Sequence, residues 1–136
     1  MNRIAILVGE KGLRVADFKD MKFWGPPEFV QYDEKTDSLY VRYPDRRYVS
    51  FEYAPEVRNE YEPEEFAKFP FRDPDIIYVE YSDIDTLGQI LHQKEFPKGL
   101  YMDDTAYEGG ETIGPVEEFN PYWKNWEERA ARGEEV

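Results

Sequence analysis

Phe29-Val30-Gln31-Tyr32, Asp33-Glu34-Lys35-Thr36-Asp37-Ser38 and Leu39-Tyr40-Val41-Arg42-Tyr43 read as strand, turn and strand. Two alternating segments flank a polar, turn-forming centre, which is the signal of a β-hairpin. The two-residue period of a strand sets Leu39, Val41 and Tyr43 on one face and Tyr40 and Arg42 on the other. Pro44-Asp45-Arg46-Arg47 turns the chain again, with the arginines at an exposed hairpin tip or pairing with a nearby Glu. Tyr48–Tyr53 then supplies a third strand with Val49, Phe51 and Tyr53 on one side. Three consecutive antiparallel strands form a meander, the smallest sheet with reasonable independent stability.

Toward the N-terminus, Ile4–Val8 is a continuous aliphatic run closed by Gly9-Glu10-Lys11-Gly12, a buried strand followed by a turn. Leu13–Phe18 reads as a second short strand, and Gly25-Pro26-Pro27 breaks what precedes it. Toward the C-terminus, Pro55, Pro63, Pro70 and Pro74 rule out one long helix over residues 54–75. A helical turn fits at Pro63, ahead of Glu64 and Glu65, and Phe66, Phe69 and Phe71 anchor the segment to the body.

Asp75–Tyr81 is a strand with Ile77, Val79 and Tyr81 on one face, and it runs into Ser82-Asp83-Ile84-Asp85. There Ser82 serves as N-cap with Asp85 three residues on, and Ile84, Leu87, Ile90 and Leu91 give a helix over 83–94. Pro97 and Gly99 end it, Leu100-Tyr101-Met102 is a short strand, and Asp103–Gly114 is an acidic loop. Asn120-Pro121 opens a terminal helix with Tyr122, Trp123, Trp126 and Ala130 as its apolar stripe, and residues 133–136 fray. The order predicts one α+β domain over residues 1–136. Its antiparallel sheet is built from the N-terminal strand, the meander and the later strand, with two short helices in the C-terminal half.

A chain of 136 residues is long enough to bury roughly two thirds of the surface it exposes when unfolded. Its 17% aromatic content argues against disorder despite the charge. There is no cysteine, so disulfides and thiolate chemistry are excluded. Five apolar residues after Met1-Asn2-Arg3 are too few for a signal core or a membrane span, which leads to an expectation of a cytoplasmic protein.

Charge is unevenly placed. Residues 1–50 carry 9 Lys/Arg and 8 Asp/Glu, residues 51–100 carry 5 and 12, and residues 101–136 carry 3 and 10. The net charge of −13 therefore comes from the last two thirds. A field of one sign attracts partners of the other. A basic protein fits it; nucleic acid and anionic membranes, which need Lys/Arg clusters, do not.

Residues able to do chemistry are sparse. His92 is the one histidine and falls in the last turn of the 83–94 helix, where a dipole-stabilising role suffices. A zinc site would need three carboxylates. Ser38, Ser50 and Ser82 have turn, strand or cap explanations, and Gly9–Gly12 lacks the spacing of a phosphate loop. Asp103-Asp104 with Glu108 and Glu111 could take Ca²⁺ or Mg²⁺, but the spacing matches no Ca²⁺ loop. No catalytic residue, metal ligand or cofactor is expected.

What remains is tyrosine interleaved with acid. Tyr81, Asp83 and Asp85 cluster at the strand-to-helix junction, and Tyr101, Asp103, Asp104, Tyr107, Glu108 and Glu111 follow in a loop of the same character. Rings supply contact area and carboxylates pair with Arg/Lys across an interface, so these nine are the expected partner-binding residues.

With its cysteine-free α+β reading, the strand-cap-helix unit Ile76–Leu87 and the Tyr/Asp/Glu-rich loops after it, the chain resembles the small acidic immunity proteins encoded beside bacterial toxins. The resemblance covers the second half of the chain. It implies a non-catalytic inhibitor that plugs a basic, nuclease-like toxin domain, its carboxylates standing where substrate phosphates would go. A small carboxylate-rich enzyme or divalent-cation or small-ligand protein, and a phage or structural subunit that self-associates, stay open beside it.

Overall fold

A computed structural model describes residues 3–21, 27–91, 93, 96–104 and 113–118. Among the described residues seven strands build one antiparallel sheet: β1 (Arg3–Gly9), β2 (Phe29–Asp33), β3 (Ser38–Arg42), β4 (Tyr48–Tyr53), β5 (Asp75–Tyr81), β6 (Tyr101–Asp104) and β7 (Ile113–Pro115). Their order is β2-β3-β4-β5-β1-β6-β7. The meander forms as its alternation requires, with Leu39 opposite Phe51 and Val41 opposite Val49. β1 lies between β5 and β6, pairing Leu7 with both Ile77 and Met102. From Ala5 to Val8 a strand so placed is covered on both faces, which explains the unbroken apolar character of that run, while Ile4 at its start is exposed.

Both faces carry a core. On the first, Leu7, Leu39, Val41, Val49, Phe51, Ile77 and Val79 lie under Phe18 and the helix α2 (Ile84–Leu91), which contributes Leu87, Ile90 and Leu91. The second is smaller. Ile6, Val8 and Ile76 meet Val57 and Phe69 from the proline-rich segment, which holds a 3-10 helix, Pro55–Glu60, and the one-turn α1 (Pro63–Phe66). Pro63 opens α1 with Glu64 and Glu65 behind it, the arrangement the sequence implies for that turn.

Three local expectations are corrected. Residues 13–18 do not form a strand; Val15–Phe18 is a 3-10 helix. The reason is distant in sequence, because the Asp37 carboxylate accepts the amides of Val15 (2.8 Å) and Ala16 (3.0 Å) and so caps the turn from the hairpin. Ser82 is not the cap of α2. Asp83 takes that place, accepting the Thr86 amide at 2.9 Å, while Ser82 is held against β4 by the Tyr48 amide and carbonyl. The expected loop Asp103–Gly114 is strand at both ends, since residues 103 and 104 end β6 and Ile113 and Gly114 belong to β7. The expected terminal helix with Tyr122, Trp123, Trp126 and Ala130 lies outside the described residues, as do His92 and the tail.

Gly9 lets two leucines close over the end of β1, and any side chain there would require them to shift. A Cβ there would meet Leu100 Cδ2 at 2.6 Å and Leu13 Cδ2 at 2.9 Å, closer than packed carbons approach. Among the described residues no helix is long and apolar enough to cross a membrane.

Candidate functional site: an open aromatic and acidic sheet face

The sheet divides the sequence-derived partner residues instead of gathering them. Tyr81 is fully buried and donates its hydroxyl to Asp104 Oδ2 at 2.9 Å, itself fully buried. Successive residues of a strand point to opposite faces, so Asp103 turns the other way and accepts the Tyr61 hydroxyl at 2.6 Å. Its Oδ1 is buried with no hydrogen-bond partner among the described residues. Burial, then the neighbouring carboxylate, raises the ionisation of both tyrosines above the ordinary value, so each stays a neutral donor.

Exposure expected of Tyr81, Asp103 and Asp104 is therefore a misreading, since β6 carries them into the two cores. Their opposed directions also keep the Asp103 and Asp104 carboxylates from sharing one cation. Tyr101 is half-buried against Phe69 and Phe71, at ring-centroid distances of 6.4 and 5.7 Å. The Asp83 carboxylate is occupied by Ser82 and Thr86. Asp85 belongs to the first turn of α2, with its side chain outside the described residues, and Tyr107, Glu108 and Glu111 lie wholly outside them. Among the described residues no three His, Asp or Glu side chains are grouped as metal ligands.

Tyr81→Phe is expected to lower stability by about 1–3 kcal/mol, because it deprives a buried carboxylate of a donor. Denaturant melts measure this. Affinity for a cationic partner should not change, which separates a core role from a docking role.

An open cleft of about 550 Å³ beside α1 is walled by Tyr61, Phe66, Phe69 and Phe71. It is not a vacant seat for a cation. Arg58 already lies 4.9 Å from the Phe66 ring centroid and pairs with Asp73 at 3.0 Å.

The uncovered surface with chemical character lies elsewhere. Leu39, Val41, Val49 and Phe51 point into the first core, so their neighbours along each strand point to the opposite face. Register aligns those neighbours in three rows. Phe29, Arg42 and Tyr48 form one; Gln31, Tyr40, Ser50, Glu80 and Ile4 a second; Asp33, Ser38, Glu52 and Tyr78 a third. The second row crosses five strands, about 19 Å at ordinary strand spacing. The proline-rich segment covers only the β5–β1–β6 half of this face. On the β2–β3–β4 half, Phe29, Gln31, Asp33, Arg42 and Glu52 are exposed and Tyr40, Tyr48 and Ser50 half-buried.

The aromatics there are ordered by contact. Tyr40 lies 6.1 Å from both Phe29 and Tyr48, stacked on the latter, and Arg42 sits 5.5 Å from the Phe29 centroid while pairing with Glu28 at 3.0 Å. Burial, then Glu80, raises the ionisation of Tyr48 and of Tyr78, with Glu60 and Glu52 adding at Tyr78. Asp33, Glu52 and Glu80 on this face outnumber Arg42, which is itself paired with Glu28. Large apolar groups left exposed among the described residues are Ile4 at 38%, Phe29 at 41% and Val30 at 44%, and Ile4 and Phe29 belong to these rows.

Sequence reasoning separated Tyr40 and Arg42 from the core face but did not recognise a site there, because the alternation of one strand does not say which strands adjoin it. No family model matches the chain, and no curated protein and no solved structure matches it.

Proposed function

We propose that this chain is a non-catalytic binding protein that docks a basic protein. In line with its resemblance to immunity proteins, the partner in this reading is a nuclease-like toxin domain that it neutralises by covering the active site or its surroundings. The observation that supports this most is the uncovered sheet face, where Tyr40, Tyr48 and Phe29 lie in contact and Asp33, Glu52 and Glu80 stand beside them. Interfaces favour such rings, and carboxylates interspersed with them suit Arg and Lys of a partner. The net charge of −13 acts at longer range, drawing a cationic domain in and orienting it.

Inhibition of a cationic nuclease domain by the chain, followed from about 50 to about 500 mM salt, tests the reading, since exposed charges are screened over that span. Affinity should fall steeply as salt rises, chiefly through the association rate. The pair Glu52→Lys and Glu80→Lys should weaken inhibition by roughly tenfold or more while the melting curve is retained, because both side chains reach solvent. A response flat in salt, or a double reversal that inhibits as well as the parent, would count against it. Reversal at Asp103 or Asp104 would test folding instead, as both are buried.

A further inference from the structure

We propose that the partner engages this protein by strand addition, laying an extended basic segment along the outer edge of β2. The inference rests on the reading of the partner as cationic and adds how it binds. Among the described residues β2 ends the sheet, and its pairing with β3 runs unbroken from Phe29 to Asp33. Hydrogen bonds fix which way its peptide groups point. The Tyr43 amide donates to the Arg47 carbonyl (2.8 Å) and the Tyr53 amide to the Asp37 carbonyl (3.1 Å), so odd-numbered residues 37–43 turn their peptide groups toward β4. Even-numbered ones face β2, and their partners Phe29, Gln31 and Asp33 face back. The N–H and C=O of Val30 and Tyr32 are therefore directed out of the sheet.

Edges of this kind are ordinarily blunted by Lys, Pro or a bulge. Phe29–Asp33 contains no Lys and no Pro, its register carries no bulge, and Val30 is 44% exposed. Charge selects the occupant. Asp33 and Glu34, both exposed, stand at one end of β2, while Glu28 at the other is already paired with Arg42. An added strand with alternate apolar and basic residues would set its apolar side chains beside Val30 and Tyr32, and its cations beside Asp33 on the open face. A second copy is disfavoured by the mutual repulsion of two chains of net charge −13, and the two-fold pairing centred on Gln31 would in addition oppose Glu28 of each copy to Glu34 of the other.

A capped peptide of alternating Lys and Val, about seven residues long to match a strand of this size, tests the inference on the full chain. Amide hydrogen exchange at Val30 and Tyr32 should slow roughly tenfold or more with this peptide, and not with its Glu–Val counterpart. Val30→Pro should abolish the protection at Tyr32 and the binding, because it deletes an outward donor without touching the β3 ladder, whereas Val30→Ala retains both. The inference is overturned if the Lys–Val peptide leaves the two amides unprotected in the parent protein, or if a folded Val30→Pro binds it unchanged. It is overturned too if the chain alone sediments as a dimer that Val30→Pro dissolves, which would make a second copy the occupant. Toxin inhibition that persists in Val30→Pro sinks strand addition and leaves the proposed function standing; peptide addition without any toxin inhibition does the reverse.

Discussion

Phe51→Ala is expected to destabilise the protein by about 3–5 kcal/mol, the range for truncating a fully buried phenylalanine. Phe51 is 0% exposed, on β4 near the middle of the larger core. Its ring meets Phe18 edge-on at 5.1 Å and Phe96 at 6.4 Å, and Phe18 in turn meets Phe96 at 5.0 Å. Truncation therefore opens a cavity and breaks two contacts of a three-ring cluster that ties the 3-10 helix Val15–Phe18 and the segment after α2 to the sheet. Domains are stable by only about 5–15 kcal/mol, so the loss is a large share of the whole. Phe51→Leu keeps most of the volume and should lose less than half as much. Chemical denaturation of both variants measures the difference. A loss below about 1 kcal/mol for the alanine variant would mean that this face is not the principal core.

The same residue illustrates what sequence alone could supply. Val49, Phe51 and Tyr53 alternate within a segment bounded by turn residues, and local physics of that kind was sufficient for β3, β4, β5 and the helix that follows it, though not for that helix's cap. Residues 13–18 misled because their structure is imposed by Asp37, more than twenty positions away, whose carboxylate occupies two amides that a strand would have paired elsewhere. Asp103 and Asp104 misled for a related reason. Two adjacent acids are read as solvated unless something shows that a strand runs through them, and their stabilising donors, Tyr61 and Tyr81, come from separate elements.

The open face lies between these cases. Which residues of each strand point outward was legible, but the neighbour relations that place Glu80 of β5 beside Ser50 of β4, three strands from Gln31 of β2, were not. Charge followed the same pattern. The excess of acid was visible in composition, and its division between buried tyrosine-bound carboxylates and exposed ones was set by the sheet.

Asp75 supplies the second large effect. It opens β5, and its carboxylate gathers three donors: Oδ2 accepts the Gly12 amide at 2.6 Å and the Arg14 guanidinium at 2.8 Å, and Oδ1 accepts the Tyr53 hydroxyl at 2.8 Å. Arg14 also lies 4.0 Å from the Tyr53 ring centroid. These bonds fasten the turn after β1, where Gly12 has a φ of +108°, to the start of β5 and the end of β4. Burial alone would raise the Asp75 carboxyl, but the Gly12 amide, the Tyr53 hydroxyl and the Arg14 cation outweigh it and hold the group below the usual carboxylate value. A folded value below the unfolded one means the native state binds this proton less tightly. The stabilisation is therefore complete above the unfolded value of about 3.9 and disappears as pH falls through the lower folded value.

Asp75→Asn, which keeps the shape and removes the charge, should accordingly be about 2–3 kcal/mol less stable than the parent at neutral pH, the scale of charge-assisted hydrogen bonds. That gap should narrow below about pH 4, as the parent's own carboxyl becomes neutral. Comparing the two proteins at each pH is essential, because the many other carboxylates titrate in both and relieve the repulsion of a −13 chain equally. Urea melts from about pH 7 down to about pH 2.5 should show the two stabilities converging at the acid end. A gap that stays constant over that range would mean that the charge of Asp75 does nothing for the fold and that its three donors are held by shape alone.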